Sequence, residues 1–213
     1  MLLVLGIAAT SAGWWLVARR GASIWRVMPP LYAALGILGV LVWSSRSPEP
    51  RARAWYGWTD TSVAVAAGWG IASGLGLYLA TRAAVAIAGR WEPFARHTAA
   101  QYEPAGVLGV RAAVGLSLVV TAGEELVWRL GIQHGLGLDA AVAAGLTWAG
   151  YVAANAMSRS LPIIAGALVG GAVWGVAAWL TGGALSPLLS HVIWTTLMLV
   201  LPPGLAREKM GVS

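Results

Sequence analysis

The sequence contains no cysteine, and charged side chains make up only 10% of its 213 residues. Without cysteine there is no disulfide, no thiol nucleophile and no thiolate-ligated metal site. The only two aspartates, Asp60 and Asp139, lie between apolar stretches, which argues against a two-aspartate protease. The single lysine, Lys209, lies beyond the last apolar stretch, so a serine–lysine dyad has no base there. The HExxH motif of zinc metalloproteases is absent.

The low fraction of charged residues is matched by a high fraction of apolar residues. Hydrophobic side chains account for 58% of the chain, and the mean hydropathy is +0.72, whereas soluble domains average about 25% charged residues. This composition predicts a polytopic membrane protein with the lipid bilayer as a partner. The net charge of +6 therefore concerns membrane topology and anionic lipid, and we expect no nucleic acid partner.

Apolar stretches long enough to cross about 30 Å of hydrocarbon predict seven transmembrane helices. A polar loop at 45–60 follows the second helix, and an amphipathic connector at 89–105 is expected to lie along the membrane interface. We therefore predict an all-α helix bundle that forms one membrane domain. The helices cover roughly residues 1–18, 25–44, 61–88, 106–132, 138–157, 161–180 and 185–201 of the 1–213 domain.

Three charged side chains lie close together in the fourth predicted helix, in the stretch Gly123–Arg129. A charge at the centre of a bilayer costs about 2.5–3.5 kcal/mol on insertion scales. Glu125 and Arg129 are four residues apart, so helix geometry predicts an ion pair within one helix. Glu124 is rotated by about 100° from Glu125 and is left to face another helix. A structural ion-pair cluster would also explain these charges, but a carboxylate without a local partner favours a functional site.

The other polar groups of the last helices are few. Tyr151 and Asn155 share one face of the fifth predicted helix, and His191 and Thr195 share one face of the seventh. A polar group surrounded by lipid must find a partner, and Glu124 is the group predicted to lack one. A single histidine in a helix is often a satisfied core residue, so a structural and a functional interpretation of His191 both stay open.

These motifs resemble those of the CPBP family, which includes CAAX proteases and bacteriocin-processing enzymes and is also called the abortive-infection family. The stretch Gly123–Arg129 is similar to its first motif, EExxxR, and Tyr151–Asn155 occupies the place of its FxxxH motif. Residues 181–195 resemble its third region, a TG turn, a proline and then HxxxN. The resemblance covers roughly residues 106–203, as a protease-like four-helix core, and leaves N-terminal helices and the connector in 1–105.

The resemblance implies an intramembrane endopeptidase, with a prokaryotic plasma membrane as its expected location. Carried over, Glu124 would be the general base that activates a water, and His191 would donate a hydrogen bond to the oxyanion. Glu125, Arg129 and Tyr151 would support this frame.

Two positions depart from the family motifs. Asn155 replaces a histidine, and Thr195 replaces an asparagine. Asparagine can orient a water but cannot carry a proton, and its neutral oxygen is a poor metal ligand. Thr195 keeps one donor for an oxyanion. Loss of general acid–base help typically costs about 10²–10⁴-fold in rate.

Three functions therefore stay open. The first is a peptidase that uses Glu124 and His191. The alternative is a catalytically inactive pseudo-protease that binds a peptide, a lipid or a partner membrane protein as an accessory subunit. The third is a small transporter with Glu124 as a proton-coupled site. Because one histidine, one glutamate and one asparagine are a weak ligand set, we expect no metal and no other cofactor.

Overall fold

The computed structural model describes residues 1–45 and 63–203. Within these ranges the chain forms eight α-helices and no strand. The helices are α1 (Leu2–Arg20), α2 (Ile24–Ser44), α3 (Val63–Ala88), α4 (Glu92–Leu108), α5 (Val110–Glu125), α6 (Ala140–Ala156), α7 (Leu161–Thr181) and α8 (Leu185–Val200). The rest of the predicted polar loop, the start of the third predicted helix, Asp60 and Lys209 lie outside the described residues.

Four of the described helices, α1, α2, α3 and α7, are long and apolar enough to cross a membrane. The pair α4 and α5 passes the same test together, but it is bent by 112°, so the number is five if that pair is one span. Helix α8 is apolar but has only 16 residues, fewer than the roughly 20 that a span needs. The predicted helical membrane bundle is confirmed, whereas the predicted count of seven spans is not.

The bend between α4 and α5 corrects the predicted start of the glutamate-bearing helix. Residues 106–108 belong to α4, and α5 begins at Val110 instead of 106. Gly109 lies between the two helices with a φ of 87°, a conformation that glycine adopts without steric cost. The charged connector is therefore largely helical, and an apolar stretch that looks continuous in sequence is divided at this glycine.

Helix α5 widens into a π-helical segment, Leu126–Ile132, directly after the two glutamates, and a short 3₁₀ turn, Gln133–Gly135, follows. π-helical turns are rare and occur frequently at functional sites. Tertiary packing surrounds this one, because Val127 and Trp128 are fully buried and Leu130 nearly so. The predicted helix to residue 132 is thus present but changes its winding at the candidate site.

Helix α2 packs against α5 and the π segment through direct backbone contact. A Cβ added at Gly123 would lie 2.1 Å from the Tyr32 carbonyl oxygen, and one added at Gly39 would lie 2.3 Å from the Leu126 carbonyl oxygen. No side chain larger than hydrogen fits at either position. This contact brings α2 next to the two glutamates.

Helix α3 holds α8 in a similar way. Added Cβ atoms at Gly70 and Gly74 would each lie 2.7 Å from a carbonyl oxygen, of Ser186 and Ser190 respectively. The indole of Trp194 on α8 also donates to Thr81 Oγ1 on α3 at 3.0 Å. These contacts fix the position of α8 and, with it, of the histidine that follows Ser190.

Candidate active site

His191 lies between the two glutamates. Its Nδ1 is 2.8 Å from Glu125 Oε1, and its Nε2 is 3.7 Å from Glu124 Oε2. All three side chains are almost fully buried. The structure therefore joins α5 and α8 through one imidazole with a carboxylate on each side. Glu125, which helix spacing predicts to pair with Arg129, thus has a second partner on another helix that the spacing did not predict.

Arg129 lies behind Glu125. Its Nε is 3.5 Å from Glu125 Oε2, and its Nη2 donates to the Gly171 carbonyl on α7 at 3.1 Å. The guanidinium also stands 5.2 Å from the ring centroid of Tyr151. The contact between Glu125 and Arg129 predicted from their spacing is present, and the arginine ties that carboxylate to α6 and α7.

Two tyrosines face Glu124. Tyr32 on α2 and Tyr151 on α6 both lie close to the Glu124 carboxylate. Tyr32 OH also lies 3.4 Å from Thr10 Oγ1 on α1, and both of these residues are almost fully buried. Glu124 therefore lies close to polar side chains of three other helices, α2, α6 and α8. Tyr151, which the family resemblance assigned to support, is one of them.

An aromatic wall closes one face of the imidazole. Trp174 on α7 stacks on His191 with 3.5 Å between ring centroids and 17° between planes. Tyr151 packs edge-on against Trp174 and against Trp128. This wall covers one face of the His191 ring and excludes solvent on that side.

Asn155 does not join the charged group. Its Oδ1 accepts from Trp14 Nε1 on α1 at 2.9 Å, and its Nδ2 donates to the Tyr151 carbonyl at 2.9 Å. No hydrogen bond joins it to Glu124 or His191 in the described part of the chain. The position of the motif histidine is thus occupied by a residue that fastens α1 to α6.

Thr195 is half-buried, one turn after His191 on α8. Its hydroxyl makes no hydrogen bond to another residue in 1–45 or 63–203, so the structure gives it no observed partner in the site. The structure brings together Glu124, Glu125, Arg129, Tyr151 and His191, and it places Asn155 and Thr195 beside this group.

Sequence reasoning missed two members of the site, Tyr32 and Trp174. Tyr32 lies in α2, outside every motif, and no spacing within one helix relates it to Glu124. Trp174 was one of 13 tryptophans, and its burial at 1% exposure is a property of the packed bundle. The only available signal was that Tyr32 is a polar side chain inside an otherwise apolar segment.

The hydrogen-bond partners determine which nitrogen of His191 carries the proton. Nδ1 faces Glu125, so an ionised Glu125 carboxylate would accept a hydrogen bond from Nδ1 and keep the proton there. In the neutral ring Nε2 is then an acceptor, and it points toward Glu124. The site can therefore accept a proton at either Glu124 or Nε2. Among the described residues, no group of three or more His, Asp or Glu side chains is arranged to hold a metal ion.

Comparison with known protein families gives a match over part of the chain. Residues 107–197 match the family model described as Type II CAAX prenyl endopeptidase Rce1-like. This segment is somewhat less than half of the chain. It contains Glu124, Glu125, Arg129, Tyr151, Trp174 and His191, but not Tyr32. The resemblance to the CPBP family is thereby confirmed for this segment, and it indicates an integral membrane protein similar to CAAX-type intramembrane proteases. No curated protein and no solved structure matches the chain.

Proposed function

We propose that this chain is an intramembrane endopeptidase in which Glu124 and His191 together activate a water. The observation that supports it is the imidazole held between two buried carboxylates, 2.8 Å from Glu125 and 3.7 Å from Glu124. Such an arrangement fixes the ring, selects its tautomer and leaves one basic nitrogen beside a second basic group. The proposed location is a prokaryotic plasma membrane, and the proposed partner is a membrane-embedded peptide.

In the proposed reaction, a water bound between Glu124 Oε2 and His191 Nε2 attacks the carbonyl carbon of the scissile peptide bond. Its proton passes to one of these two bases. The tetrahedral intermediate collapses, the C–N bond breaks, and the same proton passes to the departing amine. Glu125 stabilises the imidazolium when His191 takes the proton, as a carboxylate does for a catalytic histidine.

This role of His191 differs from the one carried over from the family motif. A neutral ring with its proton on Nδ1 has no second proton to donate to an oxyanion. We therefore assign proton acceptance to His191, and assign oxyanion stabilisation to the Thr195 hydroxyl, which has no other partner among the described residues. That hydroxyl carries one donor.

A pseudo-protease is the second candidate, and one observation favours it. Asn155 occupies the place of the motif histidine, and both polar atoms of its side chain are used in hydrogen bonds, one with Trp14 and one with its own helix. A site rebuilt in this way keeps the protease fold without the motif's proton carrier. Such a chain would bind a peptide, a lipid or a partner membrane protein without cleaving it.

Peptide cleavage in detergent or liposomes separates the two. The substrates are a transmembrane peptide and a prenylated peptide with a C-terminal CAAX sequence, the class named by the matching family. We expect wild-type cleavage, and Glu124→Gln, nearly isosteric but a weaker proton acceptor, should lower it by about 10²-fold or more. Asn155→His should raise the rate if the motif's proton carrier still limits it.

The outcomes divide the candidates cleanly. Cleavage that Glu124→Gln leaves unchanged would refute the peptidase mechanism. Absence of cleavage in both the wild type and Asn155→His, with peptide binding retained, would establish the pseudo-protease. Thermal stability of each variant should be measured alongside, because Asn155→His also removes the hydrogen bond to Trp14.

A further inference from the structure

Several buried polar atoms near Arg129 have no hydrogen-bond partner among the described residues, and four of them lie on the π segment, the 3₁₀ turn, α6 and α7. These four are Arg129 Nη1, Gln133 Oε1, Thr147 Oγ1 and Trp174 Nε1. We call these four residues the Arg129 cluster. None is more than 5% exposed, and lipid around the bundle offers no hydrogen-bonding group.

Contacts with α7 place the cluster in one region. Arg129 Nη2 and Gln133 Nε2 donate to the carbonyls of Gly171 and Gly175, at 3.1 and 3.0 Å, one helical turn apart. A Cβ added at Gly175 would lie 3.9 Å from both Gln133 Oε1 and the Ala144 carbonyl. Thr147 follows Ala144 by less than one turn of α6, and Trp174 precedes Gly175. Arg129 and Gln133 therefore lie against α7, and all four residues belong to the region where the π segment, the 3₁₀ turn, α6 and α7 meet.

The cluster adjoins the candidate active site. Arg129 Nε lies 3.5 Å from Glu125 Oε2, and neither atom has a hydrogen-bond partner in the described part of the chain. The Trp174 ring stacks on His191. A ligand held by the cluster would consequently be next to both Glu125 and His191.

The Thr147 hydroxyl does not use the hydrogen-bond acceptor that its own helix offers. A helical threonine can bond the carbonyl four residues before it, and Thr121 and Thr181 do so with Ser117 and Ala177. The hydroxyl of Thr147 makes no such bond. A buried polar group without any partner bears the full cost of its desolvation, so a dry cluster would destabilise the fold at four points.

The donors and acceptors of the cluster identify the ligand. Arg129 Nη1 and Trp174 Nε1 only donate, Gln133 Oε1 only accepts, and the Thr147 hydroxyl does both. An anion would leave the Gln133 oxygen unsatisfied, and a cation would be repelled by Arg129. Water donates and accepts, and buried waters typically make about three hydrogen bonds to groups of this kind. We propose that the Arg129 cluster binds ordered water in contact with Glu125.

This hydration site would deepen the proposed function, on which its role in turnover rests. Hydrolysis consumes one water for each bond cleaved, and the bilayer core supplies none. Water bound beside Glu125 would be a reserve adjacent to the reacting groups. Whether the cluster binds water can, however, be tested without a cleavage assay.

Thr147→Val tests the hydration by the sign of its effect on thermal stability. Valine has nearly the shape of threonine but no hydroxyl. If water bonds Thr147 Oγ1, the variant should unfold at a temperature lower by about 2–4 °C. If the hydroxyl is dry, removing it relieves an unsatisfied group and the unfolding temperature should rise, which would overturn the proposal.

The matched control is Thr98→Val, in which the lost hydroxyl bonds the Phe94 carbonyl of its own helix at 2.9 Å. Its unfolding temperature should change less than that of Thr147→Val. An experimental structure at about 2 Å resolution gives the second, direct measurement, since ordered water is resolved there. Density for water between Thr147 Oγ1 and Arg129 Nη1 is expected, and a clearly resolved region without it would refute the site even if Thr147→Val failed to fold. Both measurements stand if the chain proves unable to cleave peptides.

Discussion

Glu125 is the residue on which the charged group depends, because it is shared by two partners. One oxygen is 2.8 Å from His191 and the other is 3.5 Å from Arg129. Coulomb attraction in such a buried place is strong, but each charge has also lost its hydration. Removal of one partner therefore costs more than the pair itself contributes.

Arg129→Ala should lower the folded yield and the thermal stability markedly. Both side chains of the pair are 1% exposed, and breaking a buried pair by removing one partner typically costs about 3–5 kcal/mol. The loss of the donor to Gly171 adds to this effect. Yield after size-exclusion chromatography in detergent and the unfolding temperature measure it.

Arg96→Ala is the matched control, because Arg96 and Glu92 form an ion pair at the same spacing. Its side chains are 66% and 75% exposed, and exposed pairs contribute little to stability. If Arg129→Ala behaves like Arg96→Ala, the structural role of Arg129 is wrong.

For single residues, the sequence predicted which side chains belong to the site better than it predicted which side chains they contact. Glu124, Glu125, Arg129 and His191 were all chosen from the sequence, and the structure brings them together. A helical wheel gives angles within one helix, so it could relate Glu125 to Arg129 but not to His191. The family motif, and not helix geometry, placed Asn155 with the site, although Trp14, 141 residues away, holds its side chain.

Among the helices, backbone contact between α2 and α5 sets the position of the glutamates. Gly123 immediately precedes Glu124, and its Cα is 2.9 Å from the point where a Cβ on Gly36 would lie. Small residues let membrane helices approach this closely. The position of Glu124 relative to Tyr32 therefore depends on Gly123 having no side chain, because this lets α2 and α5 approach each other. It does not depend on electrostatic attraction between the two residues.

Gly123→Ala should destabilise the protein and lower any activity. The added carbon would lie 2.1 Å from the Tyr32 carbonyl oxygen, so α2 must move away, and overpacking of this kind costs about 1–3 kcal/mol. Unfolding temperature and peptide cleavage should fall together, because Tyr32 moves with α2.

Gly115→Ala provides the comparison within the same helix. No atom lies within 4 Å of the added carbon at this position, and alanine is favoured over glycine in a helix interior by about 0.5–1 kcal/mol. Its stability should be equal to or above that of the wild type. A tolerated Gly123→Ala would contradict the close contact of α2 and α5.

The winding of the helices was the part least accessible from sequence. Apolar runs predicted all but one of the helices to within a few residues, because burial in lipid requires them; the exception, α4, was predicted only as an amphipathic connector. The π segment Leu126–Ile132 has no comparable local signal, since tertiary packing must offset its poorer hydrogen bonds. The break at Gly109 was missed because a glycine inside an apolar run is also compatible with a continuous helix.

At the scale of the whole molecule, the described residues carry their charges very unequally at the two ends of the bundle. The C-terminal ends of α1, α3, α6 and α8 lie at the same end as the N-terminal ends of α2, α5 and α7, as the contacts of Tyr102, Leu161 and Leu201 show. All described arginines other than Arg129 belong to this end: Arg19, Arg20, Arg26, Arg82, Arg90, Arg96, Arg111 and Arg159. At the opposite end, Asp139 is the one Asp, Glu, Lys or Arg that the structure describes.

The positive-inside rule converts this asymmetry into an orientation. The arginine-rich end should face the cytoplasm, and the loop that carries Asp139 should face outward. Because the chain has no cysteine, a single introduced cysteine can report the side without any background. Ala100→Cys on α4 marks the arginine-rich end and Leu138→Cys marks the other, and both positions are exposed and uncharged.

In intact cells in which the reagent reaches the outer face of the membrane, a membrane-impermeant maleimide should label Leu138→Cys. The same reagent should label Ala100→Cys only in inverted vesicles. Labelling of both in detergent-denatured protein controls for reactivity. The reverse pattern would mean that the arginines face outward and that attraction to cytoplasmic anionic lipid does not set the orientation. Glu124 lies 13 residues beyond Arg111 along α5, about 20 Å from the arginine-rich end at 1.5 Å per residue. The same labelling result therefore also shows from which side of the membrane a peptide would have to enter, and to what depth, to reach His191.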